Sequence, residues 1–571
     1  GAALVVGALI LMNSDDDDDA TTTTTTTPTT PTFTVTSDTA TEATGTDSAD
    51  AFSVTNQTYS PGLTIDGGSG NDEVTLNGAA TQASGIDLSS QNISMTSIES
   101  LVVSANGGTS GQTATVNVAG EVSNLTVEVT GDGDIDVDNL GIAGATAATA
   151  HFNNLDAAQT ANVTFSNDVV KGTIGLNSAG TAGSGSALLS VTGATLTELT
   201  IASKTAANKL EITNLDNSVT TLKITGHADF ELDETANTVG TGALSSIDTI
   251  DASGASGDLS FQFDPSQVAT VNLGSGNDTV TPTTNFVGGT LDGGQGGDTL
   301  VLNDVSVTSG TITDIETVNL TATSAKTIDY SVFDSDLTDL NINASATTFD
   351  VIVKDFDSGN IDIASTGASL SFTGSSGASS VDIDAPLATA VTLAGTATAL
   401  QTDIDLDFSG VATSATVTIT TGIEALTLRA DASTDVTIDG TGATALTSIR
   451  VTGVDGDVTA TATSAGLVNY DGSAQVDAVT AQLAASADID LGAGDDTINV
   501  TATGASAVIS GDAGIDTIDL SAAGTREIVE ISSLSDLGTL RTVPLDGSAL
   551  TNEVITDFDS GSTAGDDRID L

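Results

Sequence analysis

Cysteine and tryptophan are both absent from the 571 residues, and aromatic residues make up 3% of the chain. Without thiols there are no disulfides, no thiolate metal ligands and no cysteine nucleophile. Rings this sparse build neither a large aromatic core nor stacking platforms for sugars. Basic residues are also scarce: 11 Lys plus Arg stand against 77 Asp plus Glu, a formal net charge of −66. That excludes nucleic acid as a natural partner, because phosphate binding needs clustered cations. A β-helical lyase acting on acidic glycans would need cations along a groove, and the whole chain has six lysines and five arginines. The two histidines, His151 and His227, lie in strand-like and turn-like segments with no evident acid–base partner and read as structural residues. Aspartate pairs are too frequent for any one of them to argue hydrolysis. The expectation is a protein that is not an enzyme.

What the chain has in quantity is Thr, Ala, Val, Asp and 60 glycines, and the glycines are not scattered at random. Gly67-Gly68-Ser69-Gly70-Asn71-Asp72 and Gly293-Gly294-Gln295-Gly296-Gly297-Asp298 each lead into alternating apolar residues. Degenerate copies occur at Leu273 to Asp278 (Gly274, Gly276), Leu491 to Asp496 (Gly492, Gly494) and Gly511 to Asp516 (Gly514). Glycine lets the backbone enter left-handed conformations that aim successive carbonyls at one point, and the closing aspartate adds charge. Calcium, a hard cation with about six to eight oxygen ligands, is what such a set suits. The expected metal-site residues are therefore Gly67, Gly68, Gly70 and Asp72; Gly274, Gly276 and Asp278; Gly293, Gly294, Gly296 and Asp298; Gly492, Gly494 and Asp496; and Gly511, Gly514 and Asp516. The bland alternative is that Gly and Asp simply make turns. Asp278 to Asp298 and Asp496 to Asp516 are both twenty residues apart, about one coil of a solenoid, and Leu273 to Leu302 aligns with Leu491 to Leu520 as an internal duplication. Bound Ca2+ would also relieve the self-repulsion of so acidic a chain, as high salt would.

Five segments are expected. Residues 1–12 are an apolar run, short of the roughly twenty needed to cross a bilayer, and read as the remnant of a secretion or anchor segment or as a subunit contact. It is the one place where membrane contact is expected. Residues 13–50 form an acidic and Thr-rich linker, with Asp15 to Asp19 and Thr21 to Thr27 as runs. Residues 51–240 are an N-terminal β-repeat region, 241–480 a central β-solenoid carrying glycine–aspartate turns, and 481–571 a C-terminal calcium-binding region.

A second pattern, apolar-x-x-apolar-x-apolar, sets the coil length. It occurs at Ile98/Leu101/Val103, Leu196/Leu199/Ile201, Val219/Leu222/Ile224, Ile315/Val318/Leu320, Leu337/Leu340/Ile342, Ile423/Leu426/Leu428 and Leu446/Ile449/Val451. The neighbouring copies that begin at Leu196, Ile315 and Ile423 recur after 23, 22 and 23 residues. The final apolar pair should lie inside a strand and the first apolar residue should turn inward at the corner. The fold expected is all-β, a parallel β-helix or β-roll-like solenoid with calcium-binding turns, mixed with β-sandwich modules if the even spacing of short strands reflects antiparallel pairing instead.

The glycine–aspartate turns resemble those of the RTX group of bacterial type I secreted proteins. The closing segment, Ile555 to Gly561 and Asp566 to Leu571, is similar to the stretch that succeeds such repeats near the C-termini of that group. Sparse repeats, Thr/Ala-rich β segments and the pairs Ile98-Glu99, Ile315-Glu316 and Ile423-Glu424 look most like RTX-type surface-layer proteins. That resemblance implies type I secretion to the surface of a Gram-negative-type bacterium, folding triggered by external calcium, and assembly with copies of itself. The repeats stand singly or in pairs, unlike the tandem blocks of toxins. The leading expectation is a self-assembling surface layer, sheath or filament, with a cell-surface glycan or lipopolysaccharide as the attachment partner. The alternatives are a calcium-stabilised adhesin or matrix protein that binds glycans and, further off, a polysaccharide-active β-helical enzyme.

Overall fold

The computed structural model describes residues 31–35 and 42–54, the chain from 63 to 530 with short interruptions, and two strands at 554–556 and 568–570. The apolar run 1–12 and the Asp and Thr runs lie outside the described residues. Among the described residues strand succeeds strand with only two 3-10 turns, Gly242–Leu244 and Tyr330–Val332. No helix among the described residues is long and apolar enough to cross a membrane.

Two compact units are present, one running to Val280 with Gly294–Gly296 added, the other comprising Thr281–Gly293 and the chain from Gly297 onward. Each is a parallel β-solenoid whose coil contributes one strand to each of two sheets. In the first unit Ser100–Gly108, Asn124–Gly131, Ala147–Leu155, Lys171–Ala179, Glu198–Ser203 and Thr221–Gly226 pair in succession, each with the strand one coil away. Thr113–Asn117, Asp134–Leu140, Thr160–Phe165, Ala187–Thr192 and Asn208–Leu215 form the other sheet in the same way. In the second unit Thr299–Asn303, Thr317–Ala322, Asp339–Ala344, Asn360–Ile363, Val381–Asp384, Ile404–Asp407 and Ala425–Arg429 stack likewise. The described pairings are parallel throughout, so these strands form no antiparallel sandwich. Thr32–Val35 and Glu42–Thr44, within the stretch read as a linker, pair with Ala51–Val54 and Thr64–Asp66.

Strand alternation explains the core. Thr160–Phe165 buries every second side chain, and Asp134–Leu140 does so through Val137 before a register shift brings Leu140 inward. Stacking coils then aligns like residues: Leu101, Leu125, Ala150, Ile174, Ile201 and Ile224 form one continuous ladder, all buried. The recurring apolar pattern is set out as expected. Leu199 pairs with Leu222 and Ile201 with Ile224, Val318 with Leu340 and Leu320 with Ile342, Leu426 with Ile449 and Leu428 with Val451. The corner residues Leu196, Val219, Ile315, Leu337, Ile423 and Leu446 are buried too. Outward rows also run in register, as where the Asn177 side-chain amide donates to Asn153 Oδ1 at 2.6 Å.

Because each coil is stabilised by its neighbours, a small hole in a ladder is felt locally. Ile201 is fully buried between Ile174 and Ile224. Ile201→Val should cost about 1 kcal/mol, the usual effect of one deleted core methyl, read as a lower urea midpoint with an unchanged slope.

Candidate metal-binding turns

At each glycine–aspartate turn the chain leaves one sheet and enters the other, and the six residues have defined work. The second residue is left-handed: φ is 90° at Gly68, 86° at Gly294, 89° at Gly492, and 56° at Asp512, where aspartate takes the glycine position. The fourth residue, Gly70, Gly296, Gly494 or Gly514, lies at φ 140° to 158°. The first glycine is needed for space. A Cβ on Gly67 would overlap the Ser97 carbonyl and the Asp72 carboxylate, one on Gly293 the Asp314 carbonyl, and one on Gly511 the Asp516 carboxylate.

The turns stack coil on coil by one repeated bond, from the third-residue N–H to the second-residue carbonyl of the preceding coil. Ser69 donates to Thr46 (3.1 Å), Gln295 to Gly274 (2.9 Å), Ala493 to Ser473 (3.1 Å) and Ala513 to Gly492 (3.2 Å). The sixth residue points inward, and Asp72, Asp278, Asp298, Asp496 and Asp516 are all buried. One carboxylate oxygen of each of several is held by the preceding coil: Asp72 Oδ1 accepts from Asp50 N–H (2.8 Å), Asp496 Oδ1 from Asp477 N–H (2.7 Å) and Asp516 Oδ1 from Asp496 N–H (2.9 Å). The twenty-residue offset of Asp496 and Asp516 is thus one coil. Where the next coil has no aspartate, glutamate takes its place: Glu99 Oε2 accepts from Asp72 N–H (2.7 Å) and Glu316 Oε2 from Asp298 N–H (2.6 Å).

The second oxygen is what matters chemically. Oδ2 of Asp72 and Oδ2 of Asp496 are buried and receive no hydrogen bond. Among the described residues no lysine or arginine pairs with either aspartate. A buried carboxylate oxygen without a donor is costly unless a cation or a proton satisfies it. Burial raises the Asp72 carboxyl above its ordinary value despite the Asp50 amide, and raises Asp496 to about 7, helped by the charges of Asp477, Asp516 and Asp495. Each of the two carboxylates is a buried anionic oxygen donor beside a turn rich in glycine. A hard divalent cation bound at either turn would take the carboxylate of Asp72 or Asp496 as its charged oxygen ligand.

Asp278 is arranged differently. Neither Gly274 nor Gly276 has a left-handed φ. Their missing side chains instead admit the Ala255 and Gly257 carbonyls of the coil before. Asp278 Oδ1 accepts from Leu259 N–H (2.8 Å) and Oδ2 from Gly274 N–H (3.2 Å), so both oxygens have main-chain donors.

Two further buried aspartates, Asp50 and Asp477, occupy the sixth position of Gly45 to Asp50 and Gly472 to Asp477. Glycine spacing does not mark them, because their second residues are Thr46 and Ser473. The available signal is a glycine five residues before each aspartate, 22 and 19 residues ahead of Asp72 and Asp496. A separate grouping, Asp314, Asp334 and Asp336, brings carboxylate oxygens within 4.8 Å of one another at the surface of the second unit. Asp314 is raised to about 6 by burial and by Asp292 and Asp334. His151 does have a neighbour: its Nδ1 lies 3.5 Å from Lys204 Nζ, and burial, then Lys204, pushes its pKa down to about 4.

Comparison with protein-family models, curated proteins and solved structures yields no match, so the likeness to RTX proteins rests on the turn residues themselves.

Proposed function

We propose that calcium completes the glycine–aspartate turns, and that the chain is a structural protein which self-assembles in a calcium-dependent way into an extracellular surface layer, sheath or filament. The observation that carries the reading is the pair of buried, donorless oxygens, Asp72 Oδ2 and Asp496 Oδ2, each beneath a turn whose backbone is already bent by left-handed glycine. Such an oxygen calls for a positive charge, and this chain has almost none of its own to offer. The net charge of −66 supports the second half of the proposal, since copies of so anionic a chain approach one another only when cations screen or bridge them. Secretion and attachment at a bacterial surface are drawn from the RTX likeness and belong to the same proposal.

The test is electron microscopy of the purified full chain in calcium and in excess chelator at low ionic strength, with bound calcium counted by elemental analysis after dialysis. Ordered assemblies that form with calcium and dissolve on chelation support the reading. Assemblies that survive chelation, or a dialysed chain holding no calcium, would overturn it.

A further inference from the structure

The turns Gly45 to Asp50 and Gly472 to Asp477 share the plan of the cation turns yet treat the buried aspartate differently. Asp477 is fully buried and has donors on both oxygens: Ser473 Oγ to Oδ1 at 2.6 Å, Ser473 N–H to Oδ2 at 2.9 Å and the Tyr470 hydroxyl to Oδ2 at 3.0 Å. Asp50 is treated alike, with Thr46 N–H to Oδ2 at 2.5 Å and Thr46 Oγ1 within 3.1 Å of both oxygens. Both retain the first glycine, whose absent Cβ makes room for the carboxylate. Neither Thr46 nor Ser473 is left-handed. The second residue of the hexapeptide thus separates these two turns from those of Asp72 and Asp496. A left-handed glycine there turns its N–H away from the aspartate and leaves Oδ2 bare, as at Gly68 and Gly492. A Ser or Thr in ordinary conformation brings both its N–H and its hydroxyl onto the carboxylate.

We infer that Thr46 and Ser473 are specificity-determining residues, which lock their turns with a hydroxyl in place of a metal ion and so make Gly45 to Asp50 and Gly472 to Asp477 independent of calcium. Their placement gives the lock a use. Each stands one coil before a cation turn, and the main-chain N–H of its locked aspartate is the donor that fixes Oδ1 of Asp72 or Asp496. A coil that is ordered without metal holds the neighbouring carboxylate in place before any ion arrives, which lowers the ordering left for the ion to impose. The hydroxyl lock also ends the metal stack on that side, since both oxygens of Asp477 are already used. The inference rests on the calcium reading of the neighbouring turns for its contrast, and on the hydrogen bonds alone for the lock.

The experiment compares the full chain with Ser473→Ala and Ser473→Thr, measuring Tm and bound calcium in calcium and in chelator. The alanine variant should lose at least about 2 °C, by the same amount in both buffers, with the calcium count unchanged. The threonine variant should regain most of the loss. A deficit confined to the calcium buffer, or a lower calcium count, would show that Ser473 serves a bound ion and would overturn the lock. No deficit in either buffer would also overturn it. If the parent chain itself ignores calcium while the alanine deficit is equal in both buffers, the calcium proposal fails and the lock stands.

Discussion

Asp496→Asn should invert with calcium: more stable than the parent in chelator, less stable when calcium is saturating. Asparagine has the shape of aspartate and keeps an Oδ1 acceptor for the Asp477 N–H, so the bond that ties the two coils survives. What it removes is a charge lying between Asp477 and Asp516 on adjacent coils, one that burial and those two neighbours already raise to about 7. Without metal, removing that charge relieves a buried, donorless oxygen, a gain of about 1–2 kcal/mol by the usual cost of leaving such a group unmade. With metal the sign turns. The parent gains about 2.7 kcal/mol at calcium a hundredfold above Kd, while the variant offers the cation a neutral amide and forfeits most of that gain. Urea unfolding at pH 7.5 in the two buffers checks both halves. An equal loss in calcium and in chelator would mean that Asp496 is structural and that its bare oxygen has no ion to meet.

The coil and its contents differ in how far the sequence exposes them. Leu196/Leu199/Ile201 and Val219/Leu222/Ile224 match by eye because a parallel solenoid places equivalent residues in register, and the 23-residue step is the pairing of Leu199 with Leu222. The length of other coils is not legible: Leu222 pairs with Ile250, a longer step made by a wider turn that leaves no periodic trace. The division of each coil into two sheets is equally hidden, because the second strand varies in length while its burial pattern is the same alternation. At the turns, glycine content marks left-handed backbone at Gly68 and Gly492 but misrepresents Gly274 and Gly276. Gly274 to Asp278 repeats the letters of Gly68 to Asp72, and its glycines serve close approach to Ala255 and Gly257 because the coil before it has no aspartate turn. That information is held one coil away, outside any local motif. Asp50 and Asp477 escape a motif for the converse reason, since a hydroxyl replaces the glycine that the motif requires.

Asp304→Ala should be strongly destabilising although it changes a surface residue of the second unit, for reasons that involve no metal. Asp304 sits at φ 57°, accepts N–H bonds from Thr323 (2.8 Å) and Ser324 (3.0 Å), and pairs with Lys326 Nζ at 3.0 Å. Lys326 is 8% exposed, so its ammonium depends on this carboxylate and on Ser324 Oγ. Alanine strands the ammonium, frees two main-chain donors and leaves in the left-handed conformation a residue without the short polar side chain that makes it tolerable. Removing one partner of a buried pair costs about 3–5 kcal/mol, and the 40% exposure of the Asp304 side chain, which lets water solvate what remains, reduces the expected loss to about 2–4 kcal/mol. Asparagine tolerates the same φ and still accepts the N–H bonds, so Asp304→Asn should lose about half as much. The pH dependence separates charge from strain. The Thr323 N–H, then Lys326, hold the Asp304 carboxyl well below the usual carboxylate range. Its contribution is therefore complete above the unfolded value, about pH 4, and is lost as pH falls through the folded value. The deficit of both variants should stay constant from pH 7 to about pH 5 and shrink below about pH 4, with the alanine variant keeping only its strain. A deficit for Asp304→Asn as large at about pH 3 as at neutrality would show that the carboxylate charge does not hold Lys326, and that the turn is kept by backbone geometry alone.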